Sequence, residues 1–146
     1  MLIIDSNIWA YYFDQDTQEH QYVVGQVEAA LRSEEIFINT VIVIEVAHFL
    51  IKNLGPAIGE ERLKTFLSFP FNIMDLNYDL TLKAVQMLTR YSHQGIGGRD
   101  ATILAATKAL NIDKIMTHDE AFKKIDWLEI TDPIPTPQRP TSTKPG

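Results

Sequence analysis

Short apolar runs alternate with longer segments of helical periodicity along most of this chain. Leu2-Ile3-Ile4 is short and continuously apolar, which is typical of a strand buried on both faces. The predicted strands cover residues 2–4, 36–38, 73–76, 114–117 and 127–130. Between them, apolar positions three or four residues apart indicate helices with one buried face. The predicted helices cover residues 9–13, 19–33, 41–52, 63–67, 80–91, 103–109 and 120–124.

Capping and breaking residues set the expected helix boundaries. Ser6 and Asn7 are both good caps for the first helix, and Thr40 is a good cap for the third. The β-branched run at 41–44 suits a strand as well as a helix, so this boundary stays open. The Gly55–Pro56 pair predicts a break in the chain before the next short helix.

Strands that alternate with helices predict an α/β fold with a mainly parallel sheet covered on both faces. A length of 146 residues fits one compact domain. From Asp132 onwards the composition changes, because five of the chain's 7 prolines follow it. We therefore expect a folded domain at 1–132 and an extended, proline-rich tail at 133–146. A linker or expression remnant is the simplest interpretation of this tail, with docking onto a partner as the alternative.

The sequence excludes sites that depend on cysteine and argues against a location in the membrane. The chain has no cysteine, which excludes disulfides, thiolate zinc sites and cysteine nucleophiles and fits a reducing compartment. The longest apolar stretch, at 41–50, contains Glu45 and His48 and is shorter than the ~18 residues of a membrane span. The N-terminus lacks the basic region of a signal peptide. We expect a cytoplasmic protein without membrane association.

The formal net charge is −6, which at first argues against a polyanionic partner such as nucleic acid. Two explanations compete. Either the partner is not nucleic acid, or the acids concentrate in a site where metal cations neutralise them. Composition does not decide between these explanations, whereas the placement of the acids along the chain does.

Four acids lie where a parallel fold would bring them together. Asp5 follows the first strand directly, and Asp119 lies just after the fourth. Asp100 opens a helix after a glycine-rich connector, and Glu45 lies on the helix after the second strand. Ligands of parallel α/β sheets bind beyond the carboxyl ends of the strands, so all four acids are expected on one rim. Clustered carboxylates repel one another, and hard cations such as Mg²⁺ or Mn²⁺ relieve that repulsion.

Each acid also has an ordinary structural explanation. Asp5 and Asp119 each precede a predicted helix and would serve as caps. Asp100 would complement a helix dipole from the first turn. Glu45 interrupts an apolar helix, and because buried acids are rare unless paired or bound to metal, a functional role is favoured there. The order and context of all four acids carry the inference, not any one of them.

Four segments in order resemble the motifs of one family. They are Ile3–Ile8, Thr40–Val46, Gly98–Ala106 and Ile115–Phe122, each holding one of the four acids. On these segments the chain resembles PIN domains, and within them the small VapC-like toxins of prokaryotic toxin–antitoxin pairs. The resemblance covers residues 1–130. The lead-in Gly97-Gly98-Arg99 departs from the family's more usual apolar or serine-containing version.

The resemblance implies a three-layer α/β/α sandwich and a Mg²⁺- or Mn²⁺-dependent endoribonuclease. It implies that Asp5, Glu45, Asp100 and Asp119 hold the metal and activate water, leaving a 5′-phosphate and a 3′-hydroxyl. Asn7 and Thr117 are expected to orient those carboxylates. A homodimer, silenced by a cognate antitoxin protein that inserts a segment into the acidic groove, is implied as well.

Two other functions compete with this one. A phosphatase of the haloacid-dehalogenase type also begins with a strand and an Asp, but it needs a second Asp two positions later, where this chain has Asn7. A catalytically silent PIN-like module that binds RNA or protein is the rival from another class. The presence of all four acids speaks against it.

Overall fold

The computed structural model describes residues 1–136, in which five strands form one fully parallel sheet. The strands are Leu2–Ile4 (β1), Ile36–Asn39 (β2), Asn72–Met74 (β3), Lys114–Met116 (β4) and Glu129–Thr131 (β5). Their order in the sheet is β3-β2-β1-β4-β5, and every neighbouring pair is parallel. The predicted α/β fold with a mainly parallel sheet is confirmed.

Helices cover both faces of this sheet. They are Ser6–Phe13 (α1), His20–Ser33 (α2), Thr40–Leu54 (α3), Pro56–Ser68 (α4), Tyr78–Tyr91 (α5) and Gly98–Leu110 (α6), with 3₁₀ turns at Ser92–Gln94 and Phe122–Lys124. Helix α1 packs on α2 and α3, α3 packs on α4, and α5 packs on α6. Because parallel crossovers are right-handed and the chain reverses direction across the sheet after β3, α1–α4 lie on one face and α5 and α6 on the other. The predicted three-layer sandwich is confirmed.

The structure decides between the candidate caps of two helices. Asp5 caps α1, in agreement with its ordinary structural explanation, whereas Ser6 and Asn7 lie within the helix, and the Asp5 side chain accepts a hydrogen bond from the Ser6 N–H. Asn39, not Thr40, caps α3, because its Oδ1 accepts from the N–H of Ile42 at 2.8 Å. The β-branched run at 41–44 is therefore helical, and the open choice between strand and helix is decided by this cap.

Helix α4 is longer than the sequence pattern predicted. It begins at Pro56 instead of residue 63, because proline at the first position of a helix lacks only a donor that would be unpaired anyway. Gly55, at φ +83°, makes the turn from α3. A Cβ at Gly59 would lie 2.7 Å from the Cα of Ile51, so the two helices pack backbone to backbone there. Because glycine has no side chain, the hydrophobic pattern of the sequence did not indicate the buried face of α4 at this contact.

An aromatic cluster fills the space between α1 and α4. We define it by its members, Trp9, Tyr12, Phe13, Phe66, Phe69 and Phe71. Trp9 is fully buried at its centre, and its ring lies 5.2 Å from that of Phe66 and 5.1 Å from that of Phe71. The Trp9 indole N–H donates to the carbonyl of Ile4 at 3.2 Å, which ties α1 to the central strand.

The described chain continues past the predicted end of the domain. Ile134 is buried, and its N–H donates to Asp132 Oδ1 at 2.9 Å. Residues 137–146 of the predicted proline-rich tail lie outside the described residues. No helix within residues 1–136 has the length and apolar character needed to cross a bilayer.

Candidate functional site

A cavity of about 340 Å³ opens at the carboxyl edge of the sheet, and all four predicted acids line it. The chain moves from β1 outwards to β2 and β3, then returns to place β4 on the other side of β1. Such a reversal leaves a crevice beyond the strand ends, where open α/β sheets bind ligands. We call this space, lined by Asp5, Glu45, Asp100 and Asp119, the acidic cavity.

Asp5 is the most buried of the four acids, with 5% of its surface exposed. Its Oδ1 accepts from the Ser6 N–H at 2.7 Å, and its Oδ2 accepts from the Thr117 hydroxyl at 2.8 Å. Burial raises the pKa of Asp5 from 3.8 to about 6, against the lowering effect of these two donors, and the charges of Glu45 and Asp119 raise it further. Asp5 is thus held in one orientation at a high electrostatic cost.

Glu45 faces Asp5 from α3, and the two carboxylates share a neighbour. The Ser6 hydroxyl lies 3.3 Å from Glu45 Oε2 and 3.4 Å from Asp5 Oδ1. Glu45 Oε2 also accepts from Arg99 Nη1 at 2.5 Å, in an ion pair whose Arg side chain is 74% exposed. Burial raises the pKa of Glu45, while Arg99 and Ser6 oppose that shift.

Asp100 enters the acidic cavity from the first turn of α6. Its Oδ2 accepts from the Gly97 N–H at 3.4 Å. Burial, followed by the charge of Asp119, raises the pKa of Asp100 from 3.8 to about 6. The buried Asn39 amide donates to the Thr102 hydroxyl at 3.2 Å, so the starts of α3 and α6 are held together across the sheet edge. This contact fixes the relative positions of the two helices that carry Glu45 and Asp100.

Asp119 lies in the loop after β4. Its N–H donates to Thr117 Oγ1 at 3.0 Å, and its Oδ1 accepts from the Ala121 N–H at 2.9 Å. Thr117 therefore contacts both Asp5 and the backbone of Asp119. Asn7, expected to orient a carboxylate, lies on the cavity wall and accepts from the His118 N–H at 3.5 Å, so it holds the loop backbone.

Behind this loop stands Asp132, a residue that the sequence patterns did not single out. Its carboxylate is 9% exposed and accepts from His118 Nδ1 at 2.9 Å and from Lys123 Nζ at 2.7 Å. Burial opposes its ionisation, but Lys123, His118 and the Ile134 N–H together hold the pKa of Asp132 below its usual value. Asp132 directly follows β5, as Asp5 directly follows β1, and this position is the sequence signal that could have identified it.

The donor chemistry of the acidic cavity fits a hard divalent cation. All four acids supply oxygen ligands, and burial and neighbouring carboxylates disfavour the charged forms of Asp5 and Asp100, a cost that a bound cation would relieve. As placed, no three acidic or histidine side chains within residues 1–136 converge as a ready ligand set for one ion. Two of the acids are engaged elsewhere, since Glu45 pairs with Arg99 and Asp119 accepts from Ala121.

The chain matches a known protein family over most of its length and resembles a named relative. The family model for the PIN domain matches residues 2–128. The chain is 27% identical to the protein named Ribonuclease VapC2 of Methanocaldococcus jannaschii, over 90% of this chain and 93% of that protein.

Solved structures share the fold at low sequence identity. The VapC20 toxin of Mycobacterium tuberculosis, described as cleaving the sarcin–ricin loop, gives a TM-score of 0.71 at 18% identity, covering 84% of this chain and 93% of that one. VapBC2 of Rickettsia felis, bound to a DNA fragment from its promoter, gives 0.69 at 21% identity, with 89% and 96% covered. FitAcB of Neisseria gonorrhoeae gives 0.71 at 18% identity, with 91% and 98% covered.

Proposed function

The chain belongs to the PIN-domain family, and on that premise we propose that it is a divalent-cation-dependent endoribonuclease. One observation carries the proposal: four acids from four separate parts of the fold line a single cavity. The relative named as a ribonuclease supports the same activity.

Asp5, Glu45, Asp100 and Asp119 would together hold Mg²⁺ or Mn²⁺. When bound, the cation would supply positive charge for the phosphoryl oxygens and acidify a water molecule. The pKa values of about 6 leave Asp5 and Asp100 largely ionised at neutral pH, as ligands of a hard cation must be. In hydrolysis a water oxygen bonds to phosphorus and the bond to the 3′ oxygen breaks, leaving a 5′-phosphate and a protonated 3′-hydroxyl.

The surrounding residues prepare the carboxylates for this role. Thr117 and the Ser6 N–H hold Asp5 with both oxygens engaged. The Ser6 hydroxyl spans Asp5 and Glu45, and such neighbours of ligating carboxylates fix their direction. Arg99 neutralises the charge of Glu45 when no metal ion is bound. The exposed guanidinium of Arg99 is also suited to bind a phosphate of the substrate.

RNA degradation in EDTA, followed by restoration of Mg²⁺ or Mn²⁺, tests this function. We expect no cleavage in EDTA, recovery with either cation, and products with 5′-phosphate ends. Asp100→Asn removes charge at nearly constant shape and should lower cleavage at least 100-fold, since even residues behind metal ligands contribute 10–100-fold. The matched control is Asp79→Asn, which changes an exposed acid in the first turn of α5. Undiminished cleavage by Asp100→Asn would contradict the proposed site.

We further propose that the protein is the toxin of a toxin–antitoxin pair and forms a homodimer. Similar folds were solved as toxin–antitoxin assemblies, among them a complex from Klebsiella pneumoniae with 22% identity and a TM-score of 0.68. Light scattering of the purified protein tests the dimer. Co-purification with the product of an adjacent small reading frame, accompanied by loss of cleavage, tests the antitoxin. A monomer in solution would contradict the dimer. An adjacent gene product that does not inhibit cleavage would contradict the antitoxin.

A catalytically silent binding module is the second candidate. The observation that favours it is the absence, within residues 1–136, of three acids already arranged around one ion. The same EDTA experiment separates the two functions, because a silent module that binds RNA or protein would leave RNA intact in every cation.

A further inference from the structure

Three side chains of α3 extend the wall of the acidic cavity beyond Glu45. His48, Phe49 and Lys52 all line this cavity, at positions three, four and seven residues after Glu45. This spacing places them on the same side of the helix as Glu45, beside the buried stripe of Ile42, Val46 and Leu50. We call His48, Phe49 and Lys52 the α3 strip.

The α3 strip is available to a ligand. Phe49 is 37% exposed although it is a large apolar side chain at the mouth of a charged cavity. His48 and Lys52 are exposed, and neither makes a side-chain hydrogen bond or ion pair within residues 1–136. By contrast, the other cation on the cavity wall, Arg99, pairs with Glu45. More than a third of Phe49 is therefore open to a ligand, and no internal pairing within residues 1–136 engages Lys52.

The order of chemical types along the α3 strip matches a nucleic acid chain. Glu45, one of the acids that would hold a cation, comes first. The imidazole of His48 and the ring of Phe49 follow, and the ammonium group of Lys52 stands about 10 Å from Glu45 along the helix axis, at 1.5 Å per residue. Single-stranded RNA presents phosphate, planar base and phosphate in the same succession. Aromatic rings stack bases without sequence preference, and lysine binds phosphate as a point charge.

Resting on the proposed ribonuclease function, we propose that the α3 strip is a subsite for the nucleotide next to the cleaved phosphate. Phe49 stacks its base, and Lys52 binds its outer phosphate. An acidic peptide would satisfy Lys52 as well, but it would bring negative charge to a cavity that already holds four carboxylates. RNA avoids that conflict, because its reacting phosphate meets those acids through the bound cation.

Binding of a fluorescently labelled single-stranded RNA to the full-length protein, followed by anisotropy in Ca²⁺ at several KCl concentrations, tests the subsite. Ca²⁺ takes carboxylate oxygen ligands as Mg²⁺ does, and an unchanged length of the labelled RNA shows that it was not cleaved. We expect Phe49→Ala to weaken binding about 10-fold, the effect of losing one stacked base, with an unchanged salt dependence. Phe49→Tyr should restore binding. Lys52→Gln should reduce the slope of log K against log salt by about 0.7, the contribution of one phosphate contact on a single strand. Lys64→Gln, on the exposed surface of α4, is the matched control.

Steady-state cleavage in Mg²⁺ gives an independent measurement. Phe49→Ala and Lys52→Gln should raise KM several-fold while kcat stays within about twofold, because both side chains bind a part of the substrate that does not react. RNA affinity, salt slope and KM equal to those of wild type in both variants would overturn the subsite and leave this surface to a protein partner. That result differs from failure of the proposed function, in which the wild-type protein itself cleaves no RNA.

Discussion

Helix α1 contributes to two regions with opposite effects on stability. Trp9 and Phe13 enter the aromatic cluster, where burial of apolar rings favours folding. Asp5, Ser6 and Asn7, at the start of the same helix, line the acidic cavity. There, burial raises the pKa of Asp5 to about 6, which means that folding opposes its charged form. Helix α1 is thus anchored by Trp9 and Phe13, and this packing holds Asp5 at the start of the helix although burial disfavours its charge.

Trp9→Ala should have the largest effect on stability, because it removes the centre of the aromatic cluster. Removing a fully buried tryptophan costs about 3–5 kcal/mol of unfolding free energy. Trp127→Ala is the control, because Trp127 is only half-buried, with Lys108 3.9 Å from its ring centre. Urea unfolding of both variants measures the difference. Equal losses in the two variants would mean that the aromatic cluster does not anchor α1.

Asp5→Asn should stabilise the metal-free protein, in contrast to Trp9→Ala. The pKa of Asp5 is raised from 3.8 to about 6 on folding, so the wild type loses stability as pH rises through this interval. At pH 7 the variant avoids this loss and should gain at most about 3 kcal/mol, reduced by its altered bond to Thr117. At pH 4 the gain should vanish. Urea unfolding at both values, with exposed Asp16→Asn as control, checks the sign, and destabilisation at pH 7 would refute it.

Asp132→Asn should act in the opposite direction. The pKa of Asp132 is lowered on folding by Lys123 and His118, so its contribution is present above the ordinary value of 3.8 and is lost as pH falls through its folded pKa. We expect a loss of about 1–3 kcal/mol at pH 7, because the Lys123 ammonium would keep a weaker acceptor. Exposed Asp126→Asn is the control in the same unfolding experiment. A gain in stability at pH 7 would contradict the anchoring role of Asp132.

Arg99→Gln should change stability least. Its ion pair with Glu45 involves an Arg side chain that is 74% exposed, and such pairs contribute less than about 1 kcal/mol. A larger loss in urea unfolding would show that Arg99, not a bound cation, is the main partner of the acidic cavity.

Much of the fold followed from residue patterns. Continuous apolar runs predicted β1, and the parallel order predicted that Asp5 and Asp119 would share one sheet edge. The start of α4 was missed because Gly55–Pro56 is read as a break, although proline also begins helices. The Asn39 cap was missed because Thr40, next to it, is also a favoured capping residue, although asparagine is the stronger of the two.

Side-chain partners in the candidate site were harder to predict. Arg99 and Glu45 are 54 residues apart, and their pairing depends on how α3 and α6 pack, which no local pattern encodes. The contact of Asp132 with His118 arises in the same way, because β4 and β5 are neighbours in the sheet. Sequence therefore named the acids of the cavity and, through the resemblance, Thr117, whose hydroxyl contacts Asp5, but it did not show the pairing of Arg99 with Glu45 or the contacts of Asp132.

Cation-linked stability tests the central claim most directly, because it does not require knowledge of the RNA that is cleaved. If the four acids share a cation, the unfolding free energy of the wild type should rise with Mn²⁺ concentration, by about 2.7 kcal/mol at 100 times the dissociation constant. Asp100→Asn should lose most of this rise, whereas Asp79→Asn should keep it. A wild-type protein whose stability is indifferent to Mn²⁺, or an Asp100→Asn variant stabilised just as strongly, would contradict a shared metal site.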